Sequence, residues 1–75
     1  MFLSKYYSPR EVADMCEMTV QHTAAMLIRL YHYGKVERKE KRIKKFSNIY
    51  IHFHVYRSKT SESIAELVLR EAGIR

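Results

Sequence analysis

The stretch Ser8–Arg38, SPREVADMCEMTVQHTAAMLIRLYHYGKVER, decides how this chain folds. It holds two helix starts, two helix stops and the beginning of a strand. Ser8 can cap a helix, Pro9 is pre-set for the first helical position, and Glu11 completes a capping box. Tyr7 before the cap and Val12 after it are placed for a hydrophobic staple. Val12, Met15 and Cys16 then share one helical face, and this short helix should end near Glu17. Thr19 reads as a second N-cap. Thr23, Leu27 and Leu30 follow it at helical spacing, flanked by Met26 and Tyr31. Gln21, His22, Ala25, Arg29 and His32 lie on the opposite face. Gly34 sits where a helix stop is expected.

Outward from this stretch the pattern changes. Residues 1–7, with Phe2, Leu3, Tyr6 and Tyr7, suit a brief extended segment. Downstream, Ile49, Ile51, Phe53 and Val55 alternate with Tyr50, His52, His54 and Tyr56. That period of two predicts a strand with one apolar face and one aromatic–histidine face. Val36–Lys39 is the nearby candidate partner. The tip between them, Glu40–Asn48, has no glycine turn signal, so a loop of several residues is expected. Finally Ile64, Leu67, Val68 and Ala72 form a helical stripe, widened by Ala65 and Leu69 and ended by Gly73. The expectation is an α+β fold in one domain, 1–75: a helical pair over about 9–33, a hairpin over about 35–57 and a C-terminal helix over about 60–72.

Length and composition narrow the function classes. Seventy-five residues, 47% apolar and 29% charged, fit one globular domain with a thin core. The single cysteine, Cys16, excludes an internal disulfide framework and a cysteine-built zinc site. The longest apolar run, Ala24–Ile28, falls far short of a membrane span, so no membrane partner is expected. With no signal segment at its start, the chain is expected in the cytoplasm. No nucleophile–base pair or carboxylate pair argues for catalysis, and no cofactor or small-molecule ligand is expected. His52 and His54 face the same way on a strand but lack an evident third metal ligand. Cys16 reads as a small core filler.

The net charge of +6 is concentrated in one place. Between Lys35 and Lys45 seven cations face only Glu37 and Glu40, whereas the segments 1–34 and 58–75 each balance to zero. A localised basic stripe is the electrostatic footprint of a polyanion binder.

The order and spacing of Val12-Ala13, Met18-Thr19, Thr23, Leu27, Leu30, Gly34 and Val36 resemble the helix-turn-helix of winged-helix DNA-binding proteins. The size, basic hairpin and few amides are similar to small transcription regulators of archaeal viruses and plasmids. The resemblance covers Ser8 to Arg57. It implies that the helix Thr19–Tyr33 enters the DNA major groove, and that the basic hairpin is a wing on the backbone or in a minor groove. Three features depart from that pattern: seven residues cannot supply the usual preceding helix, Glu17 stands where the turn often has glycine, and the wing tip has none.

A major groove about 12 Å wide accepts one helix. The side chains facing away from the core would meet it: Val20, Gln21, His22 and Ala25, with Arg29 one turn on. Gln21 suits an adenine edge, Arg29 a guanine or a phosphate, and Ala25 a thymine methyl. His22 can donate to a base or phosphate, and Thr19 at the helix N-terminus suits a phosphate. On the wing, Lys39, Lys41, Arg42, Lys44 and Lys45 are expected on phosphates, with Lys41 to Lys45 in the loop. Ile43 and Phe46 are expected to anchor the wing to the body; the sharper reading is an apolar wedge in the minor groove.

The leading expectation is a sequence-specific binder of double-stranded DNA that represses or activates transcription. Two copies on a repeated site would raise selectivity, and Ala65 and Leu69 on the last helix would form a homodimer surface or cover the core. The alternatives are non-specific binding of DNA or RNA and a winged-helix protein-interaction module.

Overall fold

The structure is a computed structural model and describes residues 5–73; Phe2 and Leu3 of the expected extended segment lie outside them. The element order is α1 (Pro9–Cys16), α2 (Val20–His32), β1 (Val36–Phe46), β2 (Ile49–Ser58) and α3 (Ile64–Glu71). The chain is therefore α+β, with three helices and a two-stranded antiparallel hairpin.

Local chemistry explains each helix end. Ser8 and Glu11 form the reciprocal capping box: the Ser8 hydroxyl accepts from the Glu11 N–H at 3.2 Å, and the Glu11 carboxylate accepts from the Ser8 N–H at 2.9 Å. That second bond holds the Glu11 carboxyl below its usual value. Thr19 and Ser63 cap α2 and α3 with their hydroxyls alone, accepting from the His22 and Glu66 N–H groups. At their C-termini all three helices turn through a left-handed residue. Gly34 and Gly73 supply it for α2 and α3, with φ of 79° and 78°; Glu17 supplies it for α1, with φ of 54°. The Met18 N–H reaches back to the Ala13 carbonyl and the Lys35 N–H to the Leu30 carbonyl, both at 3.0 Å. The two turns are the same motif, one built with glycine and one with glutamate.

The core gathers one face of each helix with the root of the hairpin. Val12, Leu27, Leu30, Leu67 and Val68 are buried together with Val36 and Tyr56. Ala65 and Leu69 are half-buried and pack against this cluster, so they thicken it. Tyr7 pairs with Tyr56 through two backbone hydrogen bonds of 2.8 Å, adding a one-residue third strand at the root. Buried Ser58 sets the approach to α3: its hydroxyl donates to the Glu62 carbonyl at 2.6 Å and accepts from the Thr60 N–H at 3.1 Å. This hydrogen-bonded turn fills the start of the segment read as helical, so α3 begins at Ile64 rather than near 60.

The hairpin differs most from the sequence reading. β1 does not stop at Lys39 but continues to Phe46, and only Ser47 and Asn48 form the turn. Neither has positive φ, so no glycine is needed; a bulge at Lys45 absorbs the mismatch between turn and strand twist. Lys41, Arg42, Lys44 and Lys45 thus lie on a strand, not in a loop. The apolar face of β2 is buried only at Val55, while Ile49 and Ile51 are exposed and Phe53 is half-buried. Tyr56, expected on a half-exposed face, is buried because the sheet root inserts between the helices. Ile43 and Phe46 do not anchor the hairpin to the body: both are exposed, Phe46 to 68%.

Two substitutions test this packing. The Thr23 hydroxyl is fully buried and has no hydrogen-bond partner. Thr23→Val keeps the shape and removes an unsatisfied group, so stability should rise by about 1 kcal/mol. Glu17→Gly relieves a left-handed non-glycine residue and should also add about 1 kcal/mol. Urea denaturation followed by circular dichroism reads both, with Leu27→Ala, expected to lose about 2–5 kcal/mol, as the core reference.

Candidate nucleic-acid interface

α2 buries Thr23, Met26, Leu27 and Leu30. At 100° per residue, the direction opposite them is held by Gln21, Ala25, Ile28 and His32, and all four are exposed. Val20 and His22 are exposed on the two flanks of the first turn. Thr19 is committed locally, since its hydroxyl accepts from the His22 N–H at 3.2 Å. Arg29 is not presented with Gln21: its Nε lies 3.1 Å from a Glu71 carboxylate oxygen, so it leans toward α3. An exposed pair of this kind is worth about 0–1 kcal/mol. What remains on the outward face of α2 carries no formal charge when its histidines are neutral.

The hairpin register sorts the basic side chains onto two faces. Arg38, Glu40, Arg42 and Lys44 stand opposite Tyr56, His54, His52 and Tyr50. Directly opposed residues share a face, so this side is basic and aromatic. Glu37, Lys39, Lys41 and Ile43 stand opposite Arg57, Val55, Phe53 and Ile51 on the other side. Lys45 is the bulge residue. The five expected hairpin cations therefore divide: Arg42 and Lys44 on one face, Lys39 and Lys41 on the other. Lys39 and Lys41 border an open depression with Lys5, Tyr6, Ser8 and Glu11.

Arg38 joins the two elements, and the sequence reading left it out of the site. Its guanidinium sits 4.0 Å from the centre of the Tyr31 ring on α2. The basic–aromatic hairpin face thus meets the flank of α2 at a cation–π contact. The signal was present in the alternation, which puts Arg38 in phase with Arg42 and Lys44. Tyr31 was read as flanking the core stripe, but its ring is exposed.

The pairing of charges is uneven. Arg29, Arg57 and Arg70 are bonded to Glu71, Glu37 and Glu62. Among the described residues, no carboxylate lies within ion-pair distance of Lys39, Lys41, Arg42, Lys44 or Lys45. From Lys41 to Ser61 the sequence contains no acidic residue at all. Among the described residues no group of three or more His, Cys, Asp and Glu side chains is arranged to hold a metal ion. Cys16 is buried, its thiol donating toward the Ala65 carbonyl at 3.6 Å, and burial pushes its pKa up, away from the reactive thiolate. Among the described residues no helix is long and apolar enough to cross a membrane.

The hydrogen bond from the Arg57 guanidinium holds the Glu37 carboxyl below the usual glutamate range, with a smaller contribution from the Tyr6 hydroxyl. A folded-state value below the unfolded one adds stability above the unfolded value, and that gain is lost as pH falls through the folded one. Glu37→Gln should therefore flatten the acid side of the stability–pH curve while leaving its shape above neutrality unchanged. Urea midpoints across an acid-to-neutral series check this.

No family model, curated protein or solved structure matches this chain.

Proposed function

We propose that the chain is a winged helix-turn-helix regulator that binds double-stranded DNA sequence-specifically, with α2 in the major groove and the basic hairpin on the backbone or in a minor groove. The observation that carries this reading is the join at Arg38 and Tyr31. It makes the outward face of α2 and the Arg38–Arg42–Lys44 face of the hairpin neighbours on one surface. Among the described residues, no carboxylate lies within ion-pair distance of Arg38, Arg42, Lys44 or Lys45. A neutral helix face also suits a groove, because base edges are read by hydrogen bonds and apolar contact, while phosphates take the charge.

Gln21 is the principal base reader in this reading, with Ala25, Val20 and His22 beside it. Thr19 and the first turn of α2 approach a phosphate. Arg29 reaches DNA only by leaving Glu71, an exchange that costs little at an exposed site. Arg42, Lys44 and Lys45 take phosphates beside α2. On the opposite face of the hairpin, Lys39 and Lys41 reach phosphates where the distal arm enters a minor groove. One helix reads about four base pairs, so two copies on a repeated or palindromic site supply the remaining selectivity. A second reading, non-specific binding of DNA or RNA, gains from the pairing of Arg29, which leaves amide and imidazole groups as the only polar readers on α2.

Selection from a random duplex library, followed by anisotropy titration against bulk duplex, separates the two. Sequence-specific binding predicts an enriched core motif; Gln21→Ala should then cost about 1–3 kcal/mol on that motif and little on random duplex. Equal affinity for selected and random duplex would favour the second reading. Replacing Lys44 and Lys45 by Gln should weaken all duplexes alike. With four to six phosphate contacts, the log–log salt slope should lie near −4 to −5 at about −0.9 per contact. A flat salt response overturns the nucleic-acid reading altogether.

A further inference from the structure

The distal hairpin is amphipathic in a way the reading above does not use. Beyond its root, Phe46 pairs with Ile49 beside the turn, and Ile43 pairs with Ile51 one step back. All four side chains are exposed, Phe46 to 68% and Ile49 to 56%. They lie on one face, because Ile43 and Ile51 share it and the bulge at Lys45 returns Phe46 to the same side. A protruding apolar ridge of this kind marks a contact surface.

Charge selects the occupant. The ridge shares its face with Lys41; Arg42 and Lys44 stand on the opposite face and Lys45 is the bulge residue. The sequence has no acid between Lys41 and Ser61. Two copies of this tip packed together would oppose like charges along their whole length. A lipid surface fits less well, because the apex is the polar pair Ser47-Asn48, and immersing Phe46 and Ile49 would carry Lys44 and Lys45 toward hydrocarbon. The arm carries cations on both faces, Lys39 and Lys41 on one and Arg42 and Lys44 on the other, and an apolar edge on such an arm matches a base stack between two phosphate strands. The arm has the reach: from Glu40 to Phe46 β1 rises roughly 20 Å at about 3.4 Å per residue.

We propose that Phe46, backed by Ile49, is a wedge that enters the minor groove of a duplex, unstacks one base step and bends the DNA toward the major groove. The bend would be about 20–90°, the range apolar wedges produce. This inference rests on the nucleic-acid reading and adds a DNA-bending activity to it. Pyrimidine–purine steps, the easiest to unstack, would be preferred.

The test uses the full chain with end-labelled duplexes carrying 2-aminopurine at TA steps. Binding is read by anisotropy, unstacking by a rise in 2-aminopurine emission and bending by energy transfer between the ends. Wild type should give all three signals. Phe46→Ala, at an exposed position that leaves the core untouched, should keep binding and lose unstacking and bending. Phe46→Leu keeps an apolar wedge and should keep both. Binding without unstacking overturns the wedge and leaves the nucleic-acid reading standing. A Phe46→Leu protein that behaves like Phe46→Ala also overturns it. If no duplex is bound, both readings fall. A Phe46-dependent association with phosphatidylglycerol vesicles, or a Phe46-dependent dimer in sedimentation, would then name the true occupant.

Discussion

The apolar cluster of Val12, Leu27, Leu30, Leu67 and Val68 has room for three short helices and the root of one hairpin, and no more. This limit shapes everything else. Val36, Val55, Tyr56 and Ser58 are buried because they lie at the root; from Arg38 to His52 every hairpin residue is exposed. A larger core would have covered the apolar face of β2 and turned the hairpin into an ordinary sheet. Here the ladder between β1 and β2 alone holds the distal arm, and its side chains are left exposed.

The helices were legible because their signals are local. Ser8, Pro9 and Glu11 act on one another within four residues, as do Thr19 with His22 and Ser63 with Glu66. Glycine at the ends of α2 and α3 was equally plain. The hairpin tip was misread because a missing glycine was taken to exclude a tight turn. The chain instead keeps Ser47 and Asn48 at negative φ and inserts a bulge, a solution with little sequence signature. The ion pair of Arg29 was not legible in the sequence, because its partner Glu71 comes from α3, far along the chain. Arg38 was missed for a related reason: its role arises from a ring on another element. Helical pattern can be read from neighbours in sequence, whereas a site depends on neighbours in space.

The division between paired and free cations follows side-chain chemistry. Among the described residues the three ion pairs all use arginine, whose planar fork meets a carboxylate with defined geometry. Four of the five expected hairpin contacts are lysines, compact and strongly hydrated charges on flexible stems. Such groups attract a polyanion from a distance and tolerate many local geometries. They supply affinity and steering more than discrimination. In the proposed complex, discrimination then has to come from the uncharged face of α2 and from the ease with which a given step unstacks around Phe46.

The same charges set the behaviour of the hairpin without a partner. Isolated two-stranded hairpins are marginal in water, and β1 places Lys39 and Lys41 on one face and Arg42 and Lys44 on the other. Cations two residues apart on one face repel, so the free arm holds its shape against its own field. The arrangement has a benefit, because lysine along an edge strand discourages pairing with other chains. In the proposed complex a polyanion would offset the repulsion, and by binding the paired form it would stabilise the arm by mass action. Binding and ordering of the distal hairpin are then one linked equilibrium. Phosphates that offset the charge of Lys41, Lys44 and Lys45 would hold the paired ridge of Ile43, Phe46, Ile49 and Ile51 more firmly, which would tie wedge insertion to contact with the backbone.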